Sequence, residues 1–84
     1  MSSLREGSFR LHVFPNDHPP PHVHVFGATG VVRFELRRGG SVRMIDIEGR
    51  FPARDIRRAA SAVEKNYDTL LTFWIYYHGK PYQH

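Results

Sequence analysis

The sequence predicts an α+β fold: a four-stranded antiparallel meander with a C-terminal helical region, two helices or one kinked helix, packed on one face. Two periodicities carry this reading. Residues 8–48 alternate apolar and polar side chains as strands do, whereas residues 53–78 repeat their apolar side chains at helical spacing. Length adds the third observation, since 84 residues make one domain, 1–84. A chain this short buries about 60% of its unfolded surface, so its core is thin.

The first strand, about 8–14, alternates Phe9, Leu11 and Val13 with Ser8, Arg10 and His12. Pro15-Asn16-Asp17 is turn chemistry, and three prolines after His18 forbid ladder hydrogen bonds. A second strand, about 22–26, sets Val23 and Val25 against His22 and His24, and Gly27 to Gly30 forms the next turn. The third strand, about 31–36, alternates Val32, Phe34 and Leu36 with Arg33 and Glu35. Arg38-Gly39-Gly40 closes a hairpin into a fourth, about 41–46, and the run Met44-Ile45-Asp46-Ile47 breaks alternation, which predicts a bulge near Ile45.

Pro52 suits a first helical turn. Ile56, Ala60, Val63, Tyr67, Leu70, Leu71, Trp74 and Tyr77 then form one apolar stripe. A single helix over 53–78 would run about 38 Å, long for so small a domain. A break with Asn66 as a left-handed cap and Asp68 as a fresh N-cap is therefore expected. Gly79 and Pro81 end the helical region.

Helices on one side leave the other sheet face open. Phe9, Leu11, Val13, Val23, Val25, Val32, Phe34, Leu36, Val42 and Met44 are expected inward. Arg10, His12, His22, His24, Arg33, Glu35 and Arg43 are expected on the exposed face, by alternation alone.

Charge fits an acidic partner. Twelve basic residues oppose eight acidic ones, and ten of the twelve are arginine, the residue suited to bidentate contacts with phosphate or carboxylate. A basic solvated surface explains the balance equally well. With no cysteine, disulfide-dependent secretion is unsupported. The N-terminus has no apolar leader core and no run reaches membrane-spanning length, so a cytoplasmic protein is expected.

The chemistry concentrates in His18-Pro19-Pro20-Pro21-His22-Val23-His24. His22 and His24 project from one strand face about 6–7 Å apart, with His12 a cross-strand neighbour. His18 lies about 12 Å from His22 along a polyproline segment. Three readings stay open. The histidines could simply hydrogen-bond around a rigid loop. They could hold zinc or nickel through His18, His22 and His24; no cysteine accompanies them, and Asp17 and Glu35 are the carboxylate candidates. Or His22, His24 and His12 could perform metal-independent acid–base chemistry on RNA, with Arg10, Arg33 and Arg43 binding phosphate.

Other features read as structure. Arg54, Arg57, Arg58 and Lys65 form a solvated helix face diluted by Asp55 and Glu64. Trp74 and Tyr77 belong to the core stripe, leaving Phe73 and Tyr76 for a protein interface. Gly27 to Gly30 is no phosphate loop, because no helix follows it.

The segment Asn16-Asp17-His18-Pro19-Pro20-Pro21-His22-Val23-His24-Val25 resembles the signature of the bacterial family known as domain of unknown function 4160. The strand before it, the sheet after it and a helical region ending near a tryptophan extend the likeness over nearly the whole chain. The resemblance implies His18, His22 and His24 as signature residues and Trp74 as a shared core position. It also implies a two-gene, toxin–antitoxin-like arrangement with a companion protein encoded nearby. The expected partners are therefore RNA, that companion, or a second copy in a homodimer, and no membrane. The resemblance implies nothing for Arg38-Gly39-Gly40 or for the tail from Tyr76 to His84.

Overall fold

In the computed structural model, which describes residues 2–80, the chain runs back and forth through five antiparallel strands and ends in two helices. The strands are β1 (Ser3–Glu6), β2 (Phe9–His12), β3 (His22–Phe26), β4 (Gly30–Leu36) and β5 (Val42–Gly49), followed by α1 (Ala53–Lys65) and α2 (Tyr67–His78). They form one sheet in sequence order, β1-β2-β3-β4-β5, so the fold is an α+β meander with one strand more than expected. Pro81 and the end of the tail, through His84, lie outside the described residues.

The additional strand is β1. It offers a single aliphatic residue, Leu4, and so no alternation to read. Pairing holds it instead, with Leu4 opposite Leu11 and Glu6 opposite Phe9. Val13 N–H also donates to Ser2 O at 2.8 Å. The Glu6 carboxylate then ties this edge to the helices, accepting from Lys65 Nζ at 2.9 Å and Asn66 Nδ2 at 3.2 Å.

Alternation places the core correctly in β2, β3 and β4. Phe9, Leu11, Val13, Val23, Val25, Val32, Phe34 and Leu36 are all buried, against Ala59, Ala62 and Val63 of α1 and Leu70 and Trp74 of α2. Each such aliphatic or aromatic side chain contributes about 1.5–3 kcal/mol by leaving water. Met44 departs from expectation. It stands opposite Phe34 on the core face yet is 42% exposed, because β5 is the edge strand and gives it a neighbour on one side only.

The bulge falls where alternation breaks. Arg33 pairs with Asp46 and the next residue, Phe34, pairs with Met44, so Ile45 is the extra residue. The preceding hairpin turns through Gly39 and Gly40, with φ of 94° and 97°, a region that L side chains avoid. Gly30 is needed for a different reason: a Cβ there would lie 2.5 Å from Arg50 O.

The helical region divides at Asn66, as its length suggested, but the caps differ. Asn66 has φ −107° and ψ 20°, in the bridge region, so it is not left-handed. It serves as the N-cap of α2, which puts Asp68 inside the first turn. Asn66 still receives backbone bonding, its N–H donating to Ala62 O and Val63 O, and Leu70 N–H returns to Asn66 O at 3.0 Å. The hydrogen-bond ladder thus bends without stopping. Pro52 is the N-cap of α1, with Ile56 N–H donating to its carbonyl.

Candidate metal centre

Two elements build the site. β3 presents His22 and His24 on alternate positions from the core residues Val23 and Val25. The segment between β2 and β3 then folds back over them. Asp17 N–H donates to Phe14 O at 3.4 Å to make a turn, and Leu36 N–H donates to Pro21 O at 2.8 Å, fastening the far end to β4. The Pro19–Pro20 peptide within this loop is cis.

This loop corrects the expectation of an exposed histidine pair. His22 is only 6% exposed and His24 is half-buried. Strand periodicity assigns a face but not what covers it. Here the returning Asp17 side chain and the Trp74 ring, 5.5 Å from that of His22, do the covering.

His22 Nδ1 lies 2.9 Å from Pro20 O. A carbonyl can only accept, so Nδ1 carries a proton and donates, which leaves Nε2 for another partner. Nε2 faces Asp17 Oδ2 at 3.3 Å. His24 Nδ1 faces the same oxygen at 3.8 Å. Asp17 Oδ2, His22 Nε2 and His24 Nδ1 are all buried, and none has a hydrogen-bond partner among the described residues. Ligand atoms from all three residues converge within 4.8 Å of one another. Burial pushes the His24 imidazole below its ordinary value; Asp17 opposes this, while His22, Arg33 and His12 reinforce it. The ring is thus held neutral, the form that can ligate. Phe14 packs edge-on against it at 4.7 Å.

The remaining expected site residues surround this group. His12 pairs with His24 across β2 and β3, and its ring lies 4.2 Å from that of Phe14. Burial first, then Arg10, lowers its pKa. His18 is exposed; it lines the neighbouring cleft but does not join the convergent donors, whose place is taken by Asp17. That cleft, about 410 Å³, runs between the proline loop and strands β4 and β5, with Asp17, His22, Arg33, Glu35 and Arg43 among its walls.

The arginines are largely committed. Arg33 forks onto Asp46, with Nε donating to Oδ1 at 2.7 Å and the terminal nitrogen to Oδ2. Arg43 Nε donates to Glu35 at 3.1 Å. Exposed pairs of this kind are worth about 0–1 kcal/mol, so exchanging a carboxylate for another anion costs little. Arg10 lies over the Phe26 ring, 4.7 Å from its centroid.

Away from the site, the helix face is solvated as expected: Arg54, Arg57, Arg58 and Lys65 are exposed, Arg58 pairing with Asp55 and Lys65 with Glu6. Trp74 is buried and Tyr77 packs against the core; Phe73 does too, while Tyr76, edge-on to Tyr77, is 83% exposed. Among the described residues no helix is long and apolar enough to cross a membrane.

Sequence reasoning treated Asp17 mainly as a turn residue. The available signal was a carboxylate held by a proline run immediately before two strand histidines, but no periodicity relates a loop residue to a strand face.

No curated protein and no solved structure matches the chain. A family model does, over residues 8–75, a span running from the start of β2 almost to the end of α2. The chain therefore belongs to the family described as domain of unknown function (DUF4160).

Proposed function

We propose that this domain binds a divalent transition metal, zinc or nickel, through Asp17 Oδ2, His22 Nε2 and His24 Nδ1. The observation that supports it is the convergence of three buried donor atoms with no other partner. Buried polar atoms are normally satisfied, and leaving one unpaired costs about 1–3 kcal/mol. Two imidazole nitrogens and a carboxylate oxygen suit zinc or nickel, whereas calcium and magnesium favour all-oxygen sets. Donors about 2.1 Å from an ion stand about 3.0–3.5 Å apart, so Asp17 at 3.3 and 3.8 Å stands near that separation, and the group as a whole, within 4.8 Å, would draw in by about 1 Å around an ion. The Pro20 carbonyl fixes the His22 ring as outer partners of ligating histidines do.

Three protein donors leave a coordination position for water or for an anionic ligand in the cleft. An ion there supplies Lewis acidity and a more acidic bound water, and Arg33 and Arg43 offer charge to the same ligand. The test is isothermal titration of chelator-stripped protein with zinc. One ion per chain is expected, with affinity falling at least about tenfold in Asp17→Ala. Binding equal to wild type in Asp17→Ala would overturn the assignment.

A second reading, RNA binding on the open face, is favoured by Arg10. It is exposed, stacks on Phe26 and has no carboxylate partner among the described residues. A cation on an aromatic plane suits single-stranded nucleic acid, and a toxin–antitoxin-like component would use such a surface. Fluorescence anisotropy with labelled oligouridine should show affinity that falls steeply with salt and weakens in Arg10→Ala. Salt-independent binding, or none, would dismiss it.

A further inference from the structure

The free edge of the sheet offers a surface of which the metal reading uses only Arg43. β5 is eight residues long, pairs only with β4 among the described residues, and contains no proline or lysine. It also exposes three large apolar residues, Met44 at 42%, Ile45 at 36% and Ile47 at 38%. A long apolar edge with unpaired backbone groups is a template for another strand, and proteins usually blunt it. Here charges and a bulge are present, but their arrangement favours pairing.

The bulge decides which residues share a face. Arg43, Asp46 and Glu48 stand opposite Glu35, Arg33 and Val31, on the open face, whereas Met44 and Ile47 stand opposite Phe34 and Val32, on the core face. In a regular strand, residues five apart point to opposite sides, as do residues three apart. The extra residue at Ile45 shifts the alternation by one. Arg43 and Glu48 therefore share one face, and Met44 and Ile47 share the other.

We propose that this edge pairs with β5 of a second copy, antiparallel and about a two-fold axis, to make a continuous ten-stranded sheet. With the axis between Ile45 and Asp46, Arg43 faces Glu48 of the second copy, and Met44 faces Ile47 of the second copy. Both contacts occur twice by symmetry, as in an isologous interface. Ile45, the bulge residue, faces Asp46 at the axis itself; sliding by one residue in either direction loses both the Arg43–Glu48 and the Met44–Ile47 pairs, setting Asp46 against itself in one case and Met44 against Asp46 in the other. Charge and apolar pattern thus select a single register. Arg43 donates to Glu35 within its own chain, and its side chain is 60% exposed, so its remaining donors are open to a second carboxylate. The self-complementarity is what commits the edge to this chain over an unrelated strand.

Sedimentation equilibrium of the full chain between micromolar and millimolar concentration tests this. A dimer is expected, with its dissociation constant raised about tenfold or more by Arg43→Glu or Glu48→Arg alone, since each sets like charges opposite each other twice. The double variant Arg43→Glu/Glu48→Arg should restore it. Far-UV circular dichroism checks that each variant folds, and Ile47→Lys is the substitute should Arg43→Glu unfold; it should weaken the dimer as well. A monomer at every concentration overturns the proposal. So does a dimer indifferent to these substitutions, which would place the contact elsewhere, as at Tyr76.

Discussion

Asp17 Oδ2 lies 3.3 Å from His22 Nε2, both atoms are buried, and no hydrogen bond joins them. With Nδ1 donating to Pro20 O, a singly protonated His22 sets two lone pairs facing each other across that gap. Such a contact is repulsive unless a cation, either a metal ion or a second proton on Nε2, stands between them. Zinc should therefore raise thermal stability. At a free concentration one hundred times Kd the gain is about 2.7 kcal/mol, a rise in Tm of about 10–20 °C for a domain this small. His18→Ala should retain the full rise and Asp17→Ala should lose it. The reverse pattern would move the third ligand to His18. Differential scanning calorimetry with zinc or EDTA reads both outcomes.

His22 has a structural role apart from any ligand. Its ring is buried, lies tilted against Trp74 and donates to the loop backbone. His22→Ala should cost about 2 kcal/mol in metal-free buffer, because it leaves a void and an unpaired carbonyl. His24, half-buried, should cost less. Urea denaturation of the two variants in EDTA separates them, and equal, negligible losses would mean the loop does not cover His22 in solution.

Trp74 is 1% exposed and joins α2 to β3, its ring lying against that of His22 and stacked on that of His78 at 3.9 Å. Trp74→Ala should destabilise by about 3–5 kcal/mol. For a domain of this size that approaches the whole stability. A variant melting near wild type would put the indole at an interface instead.

Acid should weaken the sheet edges before the core. Lys65, then Asn66, hold the Glu6 carboxyl below its ordinary 4.5, and Arg33 holds Asp46 below 3.8. Both groups are lowered in the folded state, so the unfolded chain takes up protons first as pH falls. Their contribution is complete above about pH 5 and declines as pH drops through 4.5 and 3.8 toward the folded values. Denaturation midpoints measured from pH 6 to 3 should fall across that window. Glu6→Gln should flatten the upper part, and an unchanged slope would show that the tie to Lys65 is not formed.

The sheet was readable because its signal is local. Val23, Val25, Val32 and Phe34 alternate within single strands, so burial on one face follows from adjacent residues. The break at Met44-Ile45-Asp46 marked the bulge for the same reason. β1 was unreadable because Ser3-Leu4-Arg5-Glu6 carries almost no pattern; its pairing with β2 and the Glu6 contacts to Lys65 and Asn66 span residues far apart in the chain. Asn66 marked the helix break, yet its side chain donates to Glu6 on the distant β1 as well as to Ala62 O, a contact that no local pattern shows.

The sequence by itself determined the α+β class, the alternating core, the helical stripe and the gathering of His12, His22 and His24 on one side of two paired strands. Only the tertiary structure decided that Asp17, and not His18, meets His22 and His24. It also decided that His22 is covered and that Arg33 and Arg43 answer carboxylates on neighbouring strands. Periodicity reports the direction of a side chain along its own strand. Which loop returns over that side chain, and which atom it brings within 3.3 Å, depends on contacts between segments that no local pattern encodes.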